Sequence, residues 1–196
     1  MVQSPSAIAE GFFLGNSPRT PFPHGRGGLL LAVCAGLPYT RPMSDSNYDA
    51  VALLSGGLDS ILAVKVVEEQ GLKVKCLHFT SPFFGKPQKV SHMARVHNLD
   101  IQAIDIGQDY VDMIANRPKH GFGKILNPCV DCKILMLRKA RERMEELGAS
   151  MIISGEVVGQ RPMSQRRDAL NLTSREAGVR DVLVRPLTAG RIDPSE

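Results

Sequence analysis

At 196 residues with 43% hydrophobic side chains, the chain carries enough apolar material for one globular domain and too little for two of ordinary size. Its 24 basic and 20 acidic residues leave a net charge of +4, which suits a polyanionic partner but is too small an excess to mark a basic tail. Four cysteines, of which only Cys129 and Cys132 lie close together, exclude a disulfide-dense secreted scaffold and point to a reducing, cytoplasmic compartment.

Residues 1–47 are rich in Pro, Gly and Ser and show no sustained period of strand or helix, so they read as a disordered N-terminal arm. The apolar run Leu29 to Ala35 within it is far shorter than the roughly 20 residues of a membrane-spanning helix. A signal-peptide reading of that run is disfavoured by the long, proline-rich stretch before it. Met43 precedes a short polar lead and then the first apolar strand, so Met43 is the expected natural start and residues 48–196 the expected domain.

From Tyr48 onward, short apolar runs alternate with helical ones. Ala50 to Leu54 reads as a strand, Ser60 to Gln70 as a helix, Lys73 to Phe79 as a strand, Lys89 to His97 as a helix and Ile101 to Ile106 as a strand. Asp109 to Ala115 is helical, and Asp131 to Leu147 is the clearest helix, with Ile134, Leu137, Ala140, Met144 and Leu147 on one face and Gly148 as its left-handed end. Met151 to Ser154 and Val182 to Val184 complete five strands. The alternation predicts an α/β fold, a doubly wound five-stranded parallel sheet with helices on both faces, because parallel neighbours need crossover helices.

The break after the first strand, Ser55-Gly56-Gly57-Leu58-Asp59-Ser60, falls where such sheets bind ligands. Two glycines let the backbone approach a ligand, and the unpaired N–H groups opening the next helix favour an anion such as phosphate. The hydroxyls of Ser55 and Ser60 add donors. Asp59 would repel a bare phosphate unless it caps the helix or helps to hold magnesium. Neither common nucleotide fingerprint, G-x-x-x-x-G-K-[ST] or G-x-G-x-x-G, is present.

Asn127-Pro128-Cys129-Val130-Asp131-Cys132-Lys133 follows a long loop and opens the clear helix. With Asp131 as N-cap, Cys132 enters the first turn, where the helix dipole and Lys133 would lower its thiol pKa and make it a candidate nucleophile. Three roles stay open for Cys129 and Cys132: a persulfide-carrying or disulfide-forming pair, two ligands of a metal or iron-sulfur cluster, or inert thiols. Cys76 lies within a strand, as readily a small buried hydrophobe as a third ligand. After the fourth strand, Gly155, Glu156, Gly159 and Gln160 suit nucleotide or substrate contact, and Arg161, Arg166 and Arg167 suit an RNA backbone. On the long helix, Arg138 to Glu142 and Arg141 to Glu145 are spaced as ordinary surface pairs.

The S-G-G-x-D-S turn between an apolar strand and a helix resembles the pyrophosphate loop of the PP-loop ATP pyrophosphatases, the adenine nucleotide alpha hydrolase-like superfamily. The resemblance implies that Ser55, Gly56, Gly57, Asp59 and Ser60 hold the pyrophosphate of ATP, with Asp59 on magnesium. It also implies that the strand end at His78 and Phe79 reads adenine, against a reading in which Leu77 and Phe79 pack in the core and His78 lies on the surface. The Asn-Pro segment ending at Cys132 is similar to one in the tRNA 2-thiouridylases, whose cysteine takes part in sulfur transfer. Cys129 adds a C-x-x-C like that of the thiolation enzymes that bind a [4Fe-4S] cluster. Gly155, Glu156, Gly159, Gln160, Ser164 and Gln165 resemble a segment of the tRNA 4-thiouridine synthases.

Together these imply an enzyme that uses ATP to adenylylate a uridine carbonyl oxygen of tRNA, with a sulfur donor protein or sulfide completing the exchange. The RNA-binding modules of the 4-thiouridine synthases have no counterpart in residues 1–47. The chain is therefore expected to be part of a longer protein, to rely on a partner or a second copy for RNA contact, or to act on a smaller acceptor. Two other readings stay open: a PP-loop enzyme activating a small-molecule carbonyl for amide formation, and a non-catalytic nucleotide-binding or iron-sulfur module.

Overall fold

A computed structural model describes residues 47–123, 127–161 and 164–188. The expected arm, with Met43 and Cys34, therefore lies outside the described residues except for Asn47. The elements in chain order are β1 (Ala50–Leu53), α1 (Leu58–Glu68), β2 (Val74–Thr80), α2 (Pro87–His97), β3 (Ile101–Asp105), α3 (Gly107–Ala115), α4 (Cys129–Glu146), β4 (Met151–Ser154), α5 (Arg167–Glu176) and β5 (Leu183–Val184). A short 3-10 turn, Pro186–Thr188, follows.

All strand pairs are parallel, in the order β3-β2-β1-β4-β5. The central strand β1 is buried on both faces, which is why it reads as an unbroken apolar run rather than an alternation. Ala50, Ala52 and Leu54 join Ala63, Val64 and Val67 of α1 in one core layer. Val51 and Leu53 join Ile134, Leu137, Ala140 and Met144 of α4 in the other. These are the α4 residues that the helical spacing puts on one face, and burying each large one contributes about 1.5–3 kcal/mol. Gly148 ends α4 with φ +64, the left-handed conformation that suits glycine.

Strand order reverses between β1 and β4, and both strands end at the same edge of the sheet. The loop after β1 and the segment after β4 therefore meet, as the switch-point rule requires.

The helix α5 is absent from the sequence reading. Its buried residues are Leu170, Thr173 and Ser174, so only one is apolar. Thr173 Oγ1 and Ser174 Oγ both donate to the Leu170 carbonyl, 3.0 Å each, so the hydroxyls enter the packed face already paired. The amphipathic period of α5 is pronounced, but the helix is so polar overall that it offers no apolar run to notice.

Candidate active site

The cleft at the switch point has a volume of about 480 Å³, within the usual range of small-ligand sites. One wall is the glycine turn. Gly56 has φ +84, and α1 begins at Leu58 with no side chain capping it. Helix geometry leaves the N–H groups of Leu58, Asp59 and Ser60 without intrahelical acceptors, so this end presents a row of donors. Ser55 Oγ accepts from the Gly57 N–H at 3.3 Å and donates to Ser60 Oγ at 3.3 Å, while Ser60 Oγ donates to the Gly57 carbonyl at 2.8 Å. The two hydroxyls thus brace the turn. Ser55, Gly57, Asp59 and Ser60 all line the cleft, and Asp59 lies in the first turn of α1 without capping it.

Gly155, at the end of β4, serves the cleft by what it lacks. A Cβ there would stand 2.6 Å from Ser60 Cα and 2.7 Å from the Asp59 carbonyl carbon, so only glycine lets β4 pack against the opening of α1. Glu156 follows it and is buried. One carboxylate oxygen meets Lys133 Nζ at 3.2 Å and the other accepts from Arg185 Nε at 2.9 Å. Burial works against the charged form, but the Lys133 and Arg185 cations outweigh it and hold the Glu156 carboxyl below the usual carboxylate range. Lys133 and Glu156 line the cleft.

His78 and Phe79 line another wall of the cleft with Leu77, at the end of β2. His78 is buried, not on the surface, and its Nδ1 bonds the Leu54 carbonyl at 2.9 Å, which ties the end of β2 to the end of β1. Phe84 and Gly85 complete this wall. Gly85 folds so tightly onto β2 that a Cβ would lie 2.3 Å from the Phe79 carbonyl oxygen.

Cys129 and Cys132 occupy the first and fourth positions of α4, three apart and hence on one face. They do not line the cleft. Both lie near Tyr110, whose hydroxyl pKa is raised by burial and then by the two thiols, and Tyr110 meets Phe84 of the cleft wall edge-on with ring centroids 5.0 Å apart.

The cap and pKa assigned to this turn need correction. Pro128, not Asp131, occupies the N-cap position. Asp131 is buried and accepts from the backbone N–H groups of Lys119 and His120 at 3.1 and 3.0 Å, pinning the loop before the cysteines. The Cys132 thiol is pushed up to about 11, because burial outweighs the lowering effect of Lys133 and the Cys129 thiol adds to the rise. The Cys76 thiol, buried in the sheet, is pushed up to about 12, mainly by burial. Among the described residues no three His, Cys, Asp or Glu side chains gather to hold a metal ion. Two thiols do not complete the cysteine set of a [4Fe-4S] cluster, so the described residues do not fit one.

Gly159, Gln160, Arg166 and Arg167 do not line the cleft, whereas Arg161 and Gln165 do. Gly159 N–H donates to the Gln165 carbonyl at 2.8 Å and Gln160 N–H to the Val157 carbonyl at 3.2 Å, so this stretch closes on itself as a turn. Arg166 is exposed and pairs with Asp168 at 3.2 Å. Of the pairs expected on α4, Arg141 to Glu145 forms at 3.0 Å, but Arg138 donates to the Glu176 carbonyl at 2.9 Å instead. Sequence reasoning misses Arg185, Phe84 and Gly85 as site residues and uses Lys133 only as a neighbour of a thiol. The signal for Lys133 is available in its place beside Cys132; for Arg185, more than fifty residues downstream, there is none.

An all-parallel sheet of this order, with a two-glycine turn and an uncapped helix at its switch point, is the nucleotide-binding frame of the PP-loop ATP pyrophosphatases. Within that class the chain belongs to the ThiI family, since residues 45–191 match the model of the thiamine biosynthesis protein ThiI. It is 27% identical over 150 residues to a probable tRNA sulfurtransferase of Lysinibacillus sphaericus, covering 72% of this chain and 35% of that protein. It is 25% identical over 118 residues to an uncharacterized protein of Methanocaldococcus jannaschii, covering 60% and 41%. The chain thus spans less than half the length of these relatives. Among solved structures, a predicted subunit of a tRNA methyltransferase from Methanocaldococcus jannaschii superposes with TM-score 0.50 at 14% identity, over 74% of this chain and 71% of that one. That likeness is one of fold.

Proposed function

We propose that the chain is the ATP-using domain of a tRNA sulfurtransferase-type enzyme. The observation that carries the reading is the convergence on one cleft of an uncapped helix end, a buried carboxylate with two cations, and the helix whose first turn bears Cys129 and Cys132. The named relatives among the tRNA sulfurtransferases support the substrate class.

In the proposed reaction a uridine carbonyl oxygen attacks the α-phosphorus of ATP, and the bond to pyrophosphate breaks. The N–H donors of Leu58, Asp59 and Ser60, with the Gly56-Gly57 turn, receive the pyrophosphate charge as it develops. A sulfur nucleophile then attacks the activated ring carbon, and AMP leaves with the former carbonyl oxygen to give a thiocarbonyl. Cys132, with Cys129, handles that sulfur, and His78 and Phe79 form the wall facing the adenine of ATP. A magnesium ion would supply charge neutralisation at the phosphates. Asp59, partly exposed at the turn, fits the single carboxylate that such an ion takes alongside waters and phosphate oxygens.

The test measures pyrophosphate release from ATP with and without bulk tRNA, followed by nucleoside analysis of that tRNA for thiolated uridine. The expected result is tRNA-stimulated release and a thiolated nucleoside that Cys132→Ser abolishes while release persists. Release independent of RNA would sink the tRNA reading. Turnover indifferent to Cys132→Ser would favour amide formation on a small carbonyl.

A further inference from the structure

The turn that follows β2 leaves a large aromatic ring in the open. Phe83 is 65% exposed, although the turn that carries it is firmly held. Ser81 Oγ accepts from the N–H groups of Phe83 and Phe84 at 3.2 Å each, and Ser81 N–H donates to the Phe84 carbonyl at 2.8 Å. Phe83 and Phe84 both pack on Tyr110 of α3, with ring centroids 5.5 and 5.0 Å away, and Gly85 lies tight against β2. A turn braced in this way presents the Phe83 ring at a fixed place rather than letting it fold back onto apolar surface. Phe84 and Gly85 line the cleft and Phe83 does not, so its ring stands beside the cleft rather than inside it.

Unpaired positive charge follows the ring. Lys86 stands at the N-cap of α2 and Lys89 three residues further on, and both are exposed. The first turn of α2 holds no acidic residue, and among the described residues neither lysine forms an ion pair. Lys65, Lys75, Lys119 and Lys139, by contrast, each meet a carboxylate. An open aromatic face beside free ammonium groups is the pairing that holds single-stranded RNA, the ring taking a base and the cations taking phosphates. The two lysines favour this occupant over an apolar protein surface, which would desolvate them without an acceptor. A base must also leave its stack before its carbonyl oxygen can enter a cleft, and a protein ring that replaces the lost stacking partner lowers that cost.

We propose that Phe83 stacks on the acceptor uracil at the mouth of the cleft, and that Lys86 and Lys89 bind the phosphates that flank it. The inference rests on reading the acceptor as an RNA uridine, and it names the residues that take hold of it.

The chain contains no tryptophan, so Phe83→Trp introduces a single indole whose emission reports contact at this position. The full chain is titrated with hexauridylate and with an abasic ribose-phosphate oligomer of equal phosphate count. Hexauridylate should quench the indole, and the abasic oligomer should not. Phe83→Ala and Phe83→Leu should both bind hexauridylate about fivefold to a hundredfold more weakly than the unaltered protein, the range for one base stack, with abasic affinity unchanged. Lys86→Ala/Lys89→Ala should weaken both probes and flatten the slope of log affinity against log salt by about 0.7 for each cation removed. With tRNA as substrate, Phe83→Ala should lower the yield of thiolated uridine. Near-ultraviolet circular dichroism checks that each variant keeps its packing.

Full hexauridylate affinity in Phe83→Leu overturns the stacking, as does an indole that saturating hexauridylate leaves unquenched. Equal losses for both probes in Phe83→Ala overturn it too, because they mark a displaced turn rather than a lost base contact. An unchanged yield of thiolated uridine overturns the assignment of the stacked base as the acceptor. A Phe83→Ala variant that keeps its RNA affinity but changes mass in light scattering makes the ring a protein contact instead. If hexauridylate does not bind while tRNA still stimulates pyrophosphate release, this inference falls and the tRNA reading stands. If tRNA neither binds nor stimulates release, that reading falls and the inference falls with it.

Discussion

A thiol is a nucleophile only as its thiolate, so any use of Cys132 begins with the free energy of removing its proton. In this fold burial raises that cost, with the thiol pushed up to about 11 from the value of 9.0 it has in the open, and Lys133 offsets only part of the rise. The thiolate fraction at neutral pH is therefore about a hundredfold smaller than for an unperturbed thiol, since each pKa unit is a factor of ten. Alkylation of Cys132 by iodoacetamide, followed peptide by peptide, should be slow at pH 7.5 and still climbing about tenfold per unit near pH 10. Removing the cation with Lys133→Met should slow it further, because Lys133 favours the charged form. A plateau below pH 8 would refute the burial account. Sequence alone suggests the opposite sign because Lys133 is visible beside Cys132, while the tertiary packing that desolvates the thiol is not.

Between elements, the same segment shows why some positions are readable and others are not. The glycine turn is legible because strand, turn and helix are contiguous, and a two-glycine break in an apolar pattern can be seen locally. Gly155 stands out in the sequence as a residue for ligand contact and it lines the cleft, but its second role, close packing, is not visible there. It depends on the approach of α1, nearly a hundred residues away in sequence, to the end of β4. Gly155→Ala forces a Cβ into the backbone of Asp59 and Ser60, and such overpacking costs about 1–3 kcal/mol. The displaced atoms carry the donors of the anion site, so pyrophosphate affinity should fall together with stability. Gly159→Ala is the control: its φ of +82 is strained for alanine, but a Cβ there meets nothing within 4 Å. It should cost about 1 kcal/mol and spare pyrophosphate binding. Chemical denaturation and pyrophosphate titration of both variants decide the matter, and equal effects on both quantities would show that the close approach has no role. The helix α5 is illegible for a related reason, since its packed face is built of hydroxyls that satisfy themselves within the helix.

At the scale of the whole molecule, the doubly wound order follows from alternation and crossover rules that need no side-chain detail, which is why the sheet and its switch point are readable from the chain. The surface that would meet RNA is not, because a basic residue in sequence says nothing about what already neutralises it. On α4, Lys139 pairs with Asp109 and Glu142, Arg141 with Glu145, Asp181 and the Gly178 carbonyl, and Arg143 with Glu146 and Gln102. Those cations hold the long helix to its neighbours, and recruiting them for phosphate would mean breaking interactions that already exist. Arg161 differs: it is exposed and stands at the rim of the cleft, and the pair between Arg166 and Asp168 is exposed on both sides, worth little and easily exchanged. If RNA reaches the cleft, these two arginines meet its backbone first. Removing one cation from an RNA phosphate makes the slope of log affinity against log salt shallower by about 0.7–0.9. The variant Arg161→Ala/Arg166→Ala should therefore weaken tRNA binding at low salt and flatten its salt dependence by more than about one unit, while neutralising Arg141 and Arg143 on α4 leaves the slope unchanged and lowers stability instead. A slope that follows the α4 arginines and ignores the loop pair would move the RNA surface to the other side of the sheet edge and leave the cleft to a smaller acceptor.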